Sequence, residues 1–224
     1  MTSTADAPTR PLRRDAARNR RALLDAGREV FAARGLEATL DEIAHHAGVG
    51  VGTAYRHFAN KQELAAAIFK DDFEQLVESA RAALEVEDPW QALTGFIEST
   101  VAKQADDRGL HELMTAGAMN EQPMQVDGKL ETIREALFEP VAALMERAKK
   151  SGCLRQDASP TDLAAILLMM GSTFTVSEAV SRPVWKRYLR LLLDGLRCTG
   201  CATLPEDALD VDELDLALAV VKKH

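Results

Sequence analysis

Apolar residues recur at three- and four-residue spacing along nearly the whole chain, a pattern that predicts helices from end to end. Leu23, Leu24, Ala26, Gly27, Val30 and Phe31 mark one face of a helix over residues 15–34, which Gly35 stops. Thr39, with Glu42 three residues on, is a capping box ahead of Ile43, Ala44 and Ala47, so a second helix starts at Leu40. Gly48 just past its end supplies the left-handed backbone of a sharp turn, and Val49 then tucks inward. A short helix over 51–57 follows, only about 10 Å long at 1.5 Å per residue. Asn60 and Glu63 repeat the capping logic for a helix from Lys61, whose apolar face runs through Leu64, Ala65, Ile68, Phe73, Leu76, Ala80 and Leu84. That helix is too long for the N-terminal group alone and links two domains.

Further on, Asp88-Pro89 opens a helix to about residue 104, and 109–123 is a broken stretch. A long helix is predicted over 125–150, ended by Gly152 and kinked or divided by Pro140. Ser159-Pro160 begins an apolar helix over about 161–181, and Pro183 separates it from an amphipathic helix carrying Val184, Trp185, Tyr188, Leu189, Leu192 and Leu196. A short tail helix from Asp212 places Val211, Leu214, Leu218 and Val221 on one face. No strand alternation or internal repeat is visible. The predicted fold is all-α, with a flexible basic arm at 1–14, a helix-turn-helix domain with the start of the linking helix at 15–75, and a helical regulatory and dimerisation domain at 76–224.

Two short helices joined by a tight glycine turn form a helix-turn-helix, a device for placing one helix in the DNA major groove. Lys61 fits that purpose. A cation at a helix N-terminus opposes the macrodipole unless the two together hold an anion such as a phosphate. Ala47, Gly48, Val49, Val51, Gly52, Thr53, Tyr55, His57, Phe58 and Lys61 stand in the order of the signature of the TetR family of bacterial transcriptional regulators, which this segment resembles. Gly50 replaces the serine the family often places there, and glycine caps nearly as well. The resemblance implies DNA contacts from Thr39, Gly50, Val51, Gly52, Thr53, Tyr55, Arg56, His57 and Lys61. Val51, Gly52 and Thr53 would lie against base edges, and Tyr55, His57 and Lys61 would hold phosphates.

Charge divides along the same line. Arg10, Arg13, Arg14, Arg18, Arg20 and Arg21 crowd the N-terminus, and in the family such an arm touches the sugar-phosphate backbone. Ten Lys or Arg against seven Asp or Glu give residues 1–61 a charge of +3, which leaves -11 on the rest of a chain whose total is -8. An acidic body behind a basic head orients the molecule on DNA, and equally keeps it in solution.

The helix over 161–181 is apolar nearly all round, which fits either a seam between two copies or the centre of a monomeric core. The family pairs through its last two long helices into a four-helix bundle. That resemblance implies a homodimer with Leu163, Leu167, Met170, Phe174, Trp185, Tyr188 and Leu192 at the interface, on a near-palindromic double-stranded operator. It also implies a small-molecule effector inside the second domain, lined by Phe73, Leu76, Phe96, Val101, Met114, Met119, Ile133, Leu137 and Phe174. The methionines of the broken stretch suit an adaptable pocket or a gap-filled core.

No apolar leader is visible, and the uncharged run 163–177 is shorter than the roughly 20 residues a bilayer needs, so a cytoplasmic protein without a membrane partner is expected. Cys153, Cys198 and Cys201 make no secreted disulfide framework. Cys198 and Cys201 have the spacing of half a zinc site, of a redox pair, or of two incidental small residues. No P-loop, dinucleotide fingerprint or nucleophile elbow is present, and adjacent His111 and Glu112 diverge on a helix. No catalytic residue, cofactor or metal is expected. The rival readings are a small-molecule binding protein or enzyme that retains a helix-turn-helix, and a DNA binder without a ligand.

Overall fold

The computed structural model describes residues 9–115, 124–126, 129–131, 133–197 and 202–221. The chain divides into two compact units, Met1–Phe69 and Lys70–His224. The sequence placed that boundary after residue 75, within the linking helix.

The first unit holds α1 (Thr9–Arg34), a 3-10 turn (Gly35–Glu37), α2 (Leu40–His46), α3 (Val51–His57) and the start of α4 (Lys61–Ala83). Helix α1 begins six residues before the predicted start, so the expected flexible arm is helical from Thr9. Pro11 does not break it, because a residue in the first turn has no intrahelical N–H bond to lose. Leu23, Phe31, Ile43, Ala54, Phe58 and Leu64 form the buried interior of this unit. Gly27 lets α1 pass close to α4: a Cβ there would lie 2.6 Å from Ile68 Cδ1. Arg28 seals the crossing by donating to the Ile68 carbonyl at 3.0 Å, with its guanidinium over the Phe69 ring.

The second unit holds the rest of α4, then α5 (Pro89–Asp106), α6 (Arg108–Thr115), strands β1 (Met124–Val126) and β2 (Lys129–Glu131), α7 (Ile133–Lys150), α8 (Pro160–Ala179), α9 (Trp185–Leu196) and α10 (Val211–Val221). The strands pair antiparallel, Gln125 opposite Leu130. This corrects the helix predicted from residue 125, since α7 starts only at Ile133. Pro140 lies within α7 without dividing it. The core gathers Leu93 and Val101 of α5, Leu144 and Met145 of α7, Leu163, Ile166 and Met170 of α8, and Leu189 and Leu193 of α9.

Local chemistry starts and stops these helices. Asp88 caps α5 by accepting from the N–H groups of Trp90 and Gln91, with Pro89 at the first helical position. Ser159 and Asp162 form a capping box on α8, and Asp210 and Glu213 form one on α10. Arg147 of α7 donates to the carbonyls of Leu84 and Val86, holding the turn after α4. Arg155, almost fully buried, forks onto Asp157 and also donates to the Ala202 carbonyl, while Asp157 accepts from the Leu204 N–H. That clasp fixes the segment leading to α10.

Helix α8 is 20 residues long, more than the uncharged run suggested, and with a mean hydropathy of 1.2 it is long and apolar enough to cross a membrane. Only 28% of its apolar stretch is buried, through Leu163, Ile166, Met170 and Phe174 packed among α5, α7 and α9.

Candidate nucleic-acid interface

The interface is built from two tightly specified helix ends. The Thr39 hydroxyl accepts from the Glu42 N–H at 3.2 Å, and Glu42 Oε2 accepts in return from the Thr39 N–H at 2.8 Å. The Thr39 N–H and the Arg34 guanidinium, 3.0 Å away, pull the Glu42 pKa from 4.5 down to about 2. At the other end, Gly48 takes φ +65, its N–H donates to His45 C=O, and the Val49 N–H donates to Ala44 C=O at 2.9 Å. These two bonds are a Schellman motif, which closes α2 and aims the chain into α3.

Helix α3 is held by little. Gly50 is its N-cap and offers no side-chain bond, and the inward anchors are Ala54, fully buried, and Phe58 just past its end, with Arg20 over the Phe58 ring. Gly50, Gly52, Tyr55 and Arg56 are exposed, and Val51, Thr53 and His57 are half-buried. Arg56 folds back along its own helix, donating to the Gly52 carbonyl at 3.1 Å and the Thr53 hydroxyl at 2.8 Å. A guanidinium has five N–H donors, so a fixed arginine of this kind still presents donors outward.

Two of the three residues predicted to hold phosphates already have intramolecular partners. The Lys61 ammonium donates to the Leu36 carbonyl at 2.6 Å and is half-buried, tying the start of α4 to the 3-10 turn. This contact gives a cation at the helix start a structural reason that the sequence did not show. The Tyr55 hydroxyl bonds Asp41, and the carboxylate raises the phenol pKa. The roles of Asp41 and Arg34 were missed. Their partners lie on other elements, and no local spacing encodes the pairing.

The predicted effector residues fall partly outside what is described: Met119 is not among the described residues, nor is the side chain of Ile133. Leu76, Phe96, Val101 and Phe174 share one core cluster with Met114 and Leu137 packed on it, while Phe73 is buried apart from that cluster. Of the predicted interface residues, Leu163, Met170 and Phe174 are each less than 9% exposed within their own chain. Leu167, Trp185 and Leu192 pack against the same core, and Tyr188 is exposed. The large apolar side chains exposed on α8, at the residue after it and on α9 are Met169, Val176, Val180, Tyr188 and Leu191. A helix apolar all round gives no phase from which to choose its buried face. Cys198 and Cys201 lie outside the described residues, and no metal-binding cluster exists among the described ones.

The fold and the α2–turn–α3 geometry define an all-α helix-turn-helix protein with a helical second unit. Residues 23–68 match the model of bacterial regulatory proteins of the tetR family, and residues 88–198 match the C-terminal domain of SbtR-like transcriptional regulators. The chain belongs to the TetR family of transcriptional regulators. It is 33% identical over 127 residues to the HTH-type transcriptional activator FasR of Mycolicibacterium smegmatis, across 56% of this chain and 58% of FasR. The chain spans 60% or less of the length of the curated relatives it matches. A TetR transcription regulatory protein from Mycobacterium vanbaalenii is 33% identical, covering 84% of this chain and 100% of that one at a TM-score of 0.44. The fatty acid degradation regulator FadR from Bacillus halodurans shares the fold at 20% identity, covering 85% of this chain and 97% of that one at a TM-score of 0.55.

Proposed function

We propose that this protein is a cytoplasmic, non-enzymatic, homodimeric repressor that binds a near-palindromic operator and is released by a small-molecule effector. The observation that carries the reading is the outward face of α3, where Gly50, Gly52, Tyr55 and Arg56 stand exposed on a seven-residue helix. So short a helix contributes little to a core, and its exposed residues are either small or hydrogen-bonding. Val51, Gly52 and Thr53 meet base edges, while Tyr55, His57 and Lys61 hold phosphates. Lys61 spends one ammonium hydrogen on Leu36, which aims the other two. Tyr55 exchanges its bond to Asp41 for one to a phosphate.

The second copy covers Met169, Val176, Val180, Tyr188 and Leu191, an apolar surface shared by α8 and α9. The effector enters the second unit and favours the DNA-incompetent spacing of the two heads, with α4 carrying the change. By linkage, operator DNA then weakens effector binding by the same factor.

Fluorescence anisotropy with the DNA flanking the protein's own gene tests the reading. Lys61→Ala weakens all sequences alike and reduces the salt slope by about one unit, whereas Thr53→Ala shifts base preference. An unchanged salt slope in Lys61→Ala, with altered base preference, contradicts the assignment. A reporter whose output rises when the protein is supplied makes it an activator, the role named for FasR.

A further inference from the structure

Gln104, near the end of α5, is only 1% exposed, and its amide nitrogen has no hydrogen-bond partner among the described residues. Its oxygen is engaged, because His111 of α6 places Nδ1 2.9 Å from Oε1. An amide oxygen only accepts, so Nδ1 carries the proton, and burial lowers the His111 pKa and keeps the ring neutral. The ring is seated from the other side by α8. Phe174 meets it edge-on at 5.0 Å, and a Cβ at Gly171 would lie 2.3 Å from its Nε2. Three helices thus orient one glutamine. The neighbouring hydroxyl of Thr100, also buried, is spent on the Phe96 carbonyl.

A buried amide donor left unmade is destabilising, and native interiors seldom tolerate one. Next to this group is a cleft of about 240 Å³ whose wall includes Phe174, Trp185, Ser177 and Ala105. Phe174 is common to both places, touching His111 on one side and meeting the Trp185 ring edge-on at 6.3 Å on the other.

We propose that Gln104 is the polar anchor of the effector site, reached from this cleft by displacement of the Phe174 ring. The anchor selects compact, mainly apolar, uncharged molecules that carry a carbonyl, ester or hydroxyl acceptor. This rests on the ligand-responsive reading above and names the chemistry of its ligand. Although Arg182 and Glu178 stand in the cleft wall, the groups at the anchor itself decide against a carboxylate. The charge that acts on His111 is the negative one of Glu112, and the Arg108 guanidinium is bonded to that same Glu112 at 2.7 Å. A carboxylate buried beside a neutral amide and a neutral imidazole would lose its hydration without gaining a counter-ion there.

The test is calorimetric titration of the full-length protein with 2-nonanone and with octanoate, in wild type, Gln104→Met and Gln104→Leu. Both substitutions keep a side chain of similar size and remove the amide donor. The expected result is that the ketone binds the wild type at least tenfold tighter than octanoate, and that both variants weaken it about tenfold. Far-UV circular dichroism and ligand-free operator binding establish that the variants are folded. If one variant fails to fold, the other carries the comparison. A wild type that binds no ketone, prefers octanoate, or is matched by the folded variants overturns the anchor. Ketone binding that needs Gln104 but leaves operator affinity unchanged upholds the anchor and removes ligand release. A compound that releases the operator with no dependence on Gln104 does the reverse.

Discussion

Helices α3 and α8 both leave more surface uncovered than a packed helix should, and they leave different kinds. The seven residues of α3 turn Ala54 inward and present the bare backbone of Gly52 with Tyr55 and Arg56 outward. The 20 residues of α8 bury Leu163, Ile166, Met170 and Phe174 and still expose Met169 and Val176, with Val180 exposed just past its end. An uncovered apolar face calls for another apolar face. An uncovered face of small residues, a hydroxyl and a guanidinium calls for a partner that approaches closely and accepts hydrogen bonds. On this account one surface meets protein and the other DNA.

The largest effect is expected from loosening α3 on its inner side. Phe58→Ala removes a nearly fully buried ring and the stacking of Arg20, costing about 3–5 kcal/mol and abolishing operator binding. Urea unfolding followed by amide exchange should show the loss in the first unit, with the core around Met170 still protected. Equal loss of protection in both units would contradict it. Next comes the apolar face: Leu191→Glu should give a monomer by sedimentation and weaken operator binding at least a hundredfold, because two linked half-sites become one. A monomer that keeps its operator affinity would break the pairing of these two surfaces.

Smaller effects sit at the ends of α2. Gly48→Ala meets no neighbour within 4 Å, so its expected cost of about 1–2 kcal/mol is the backbone conformation alone, and Gly48→Asn should recover most of it. Acid acts on the opposite end. The Glu42 carboxyl is depressed from 4.5 to about 2 in the folded state, so its contribution is complete above pH 4.5 and is lost as pH falls toward 2. Thermal melts across that window should show the first unit weakening with acid, and Glu42→Gln should flatten the dependence. An unchanged slope in that variant would place the acid sensitivity elsewhere.

The two regions also differ in how much of them was legible. The cap at Thr39, the turn at Gly48 and the start at Lys61 are written within four residues of where they act, and short-range hydrogen bonding reads them directly. The second unit is decided by pairings across long separations. Arg155 with Ala202 and Arg147 with Leu84 and Val86 have no local signal, nor does the choice of which face of α8 is buried. The hairpin did have one: Asp127-Gly128 stands between the two strands, and that dipeptide is a strong hairpin signal which the helical spacing obscured. At the proposed interface the partners that two residues now hold were not legible, since Lys61 meets Leu36 and Tyr55 meets Asp41 through the fold.

Gly52→Ala tests most directly whether the outer face of α3 meets DNA. Gly52 is helical and exposed, and a Cβ there would meet nothing within 4 Å, so alanine should stabilise the first unit by up to about 1 kcal/mol. If base edges come against that backbone, the same methyl group must obstruct them. The measurement is thermal stability and operator affinity on one preparation of Gly52→Ala: the account predicts a higher melting temperature with affinity reduced at least tenfold, and a stabilised protein that binds operator as well as wild type would contradict it.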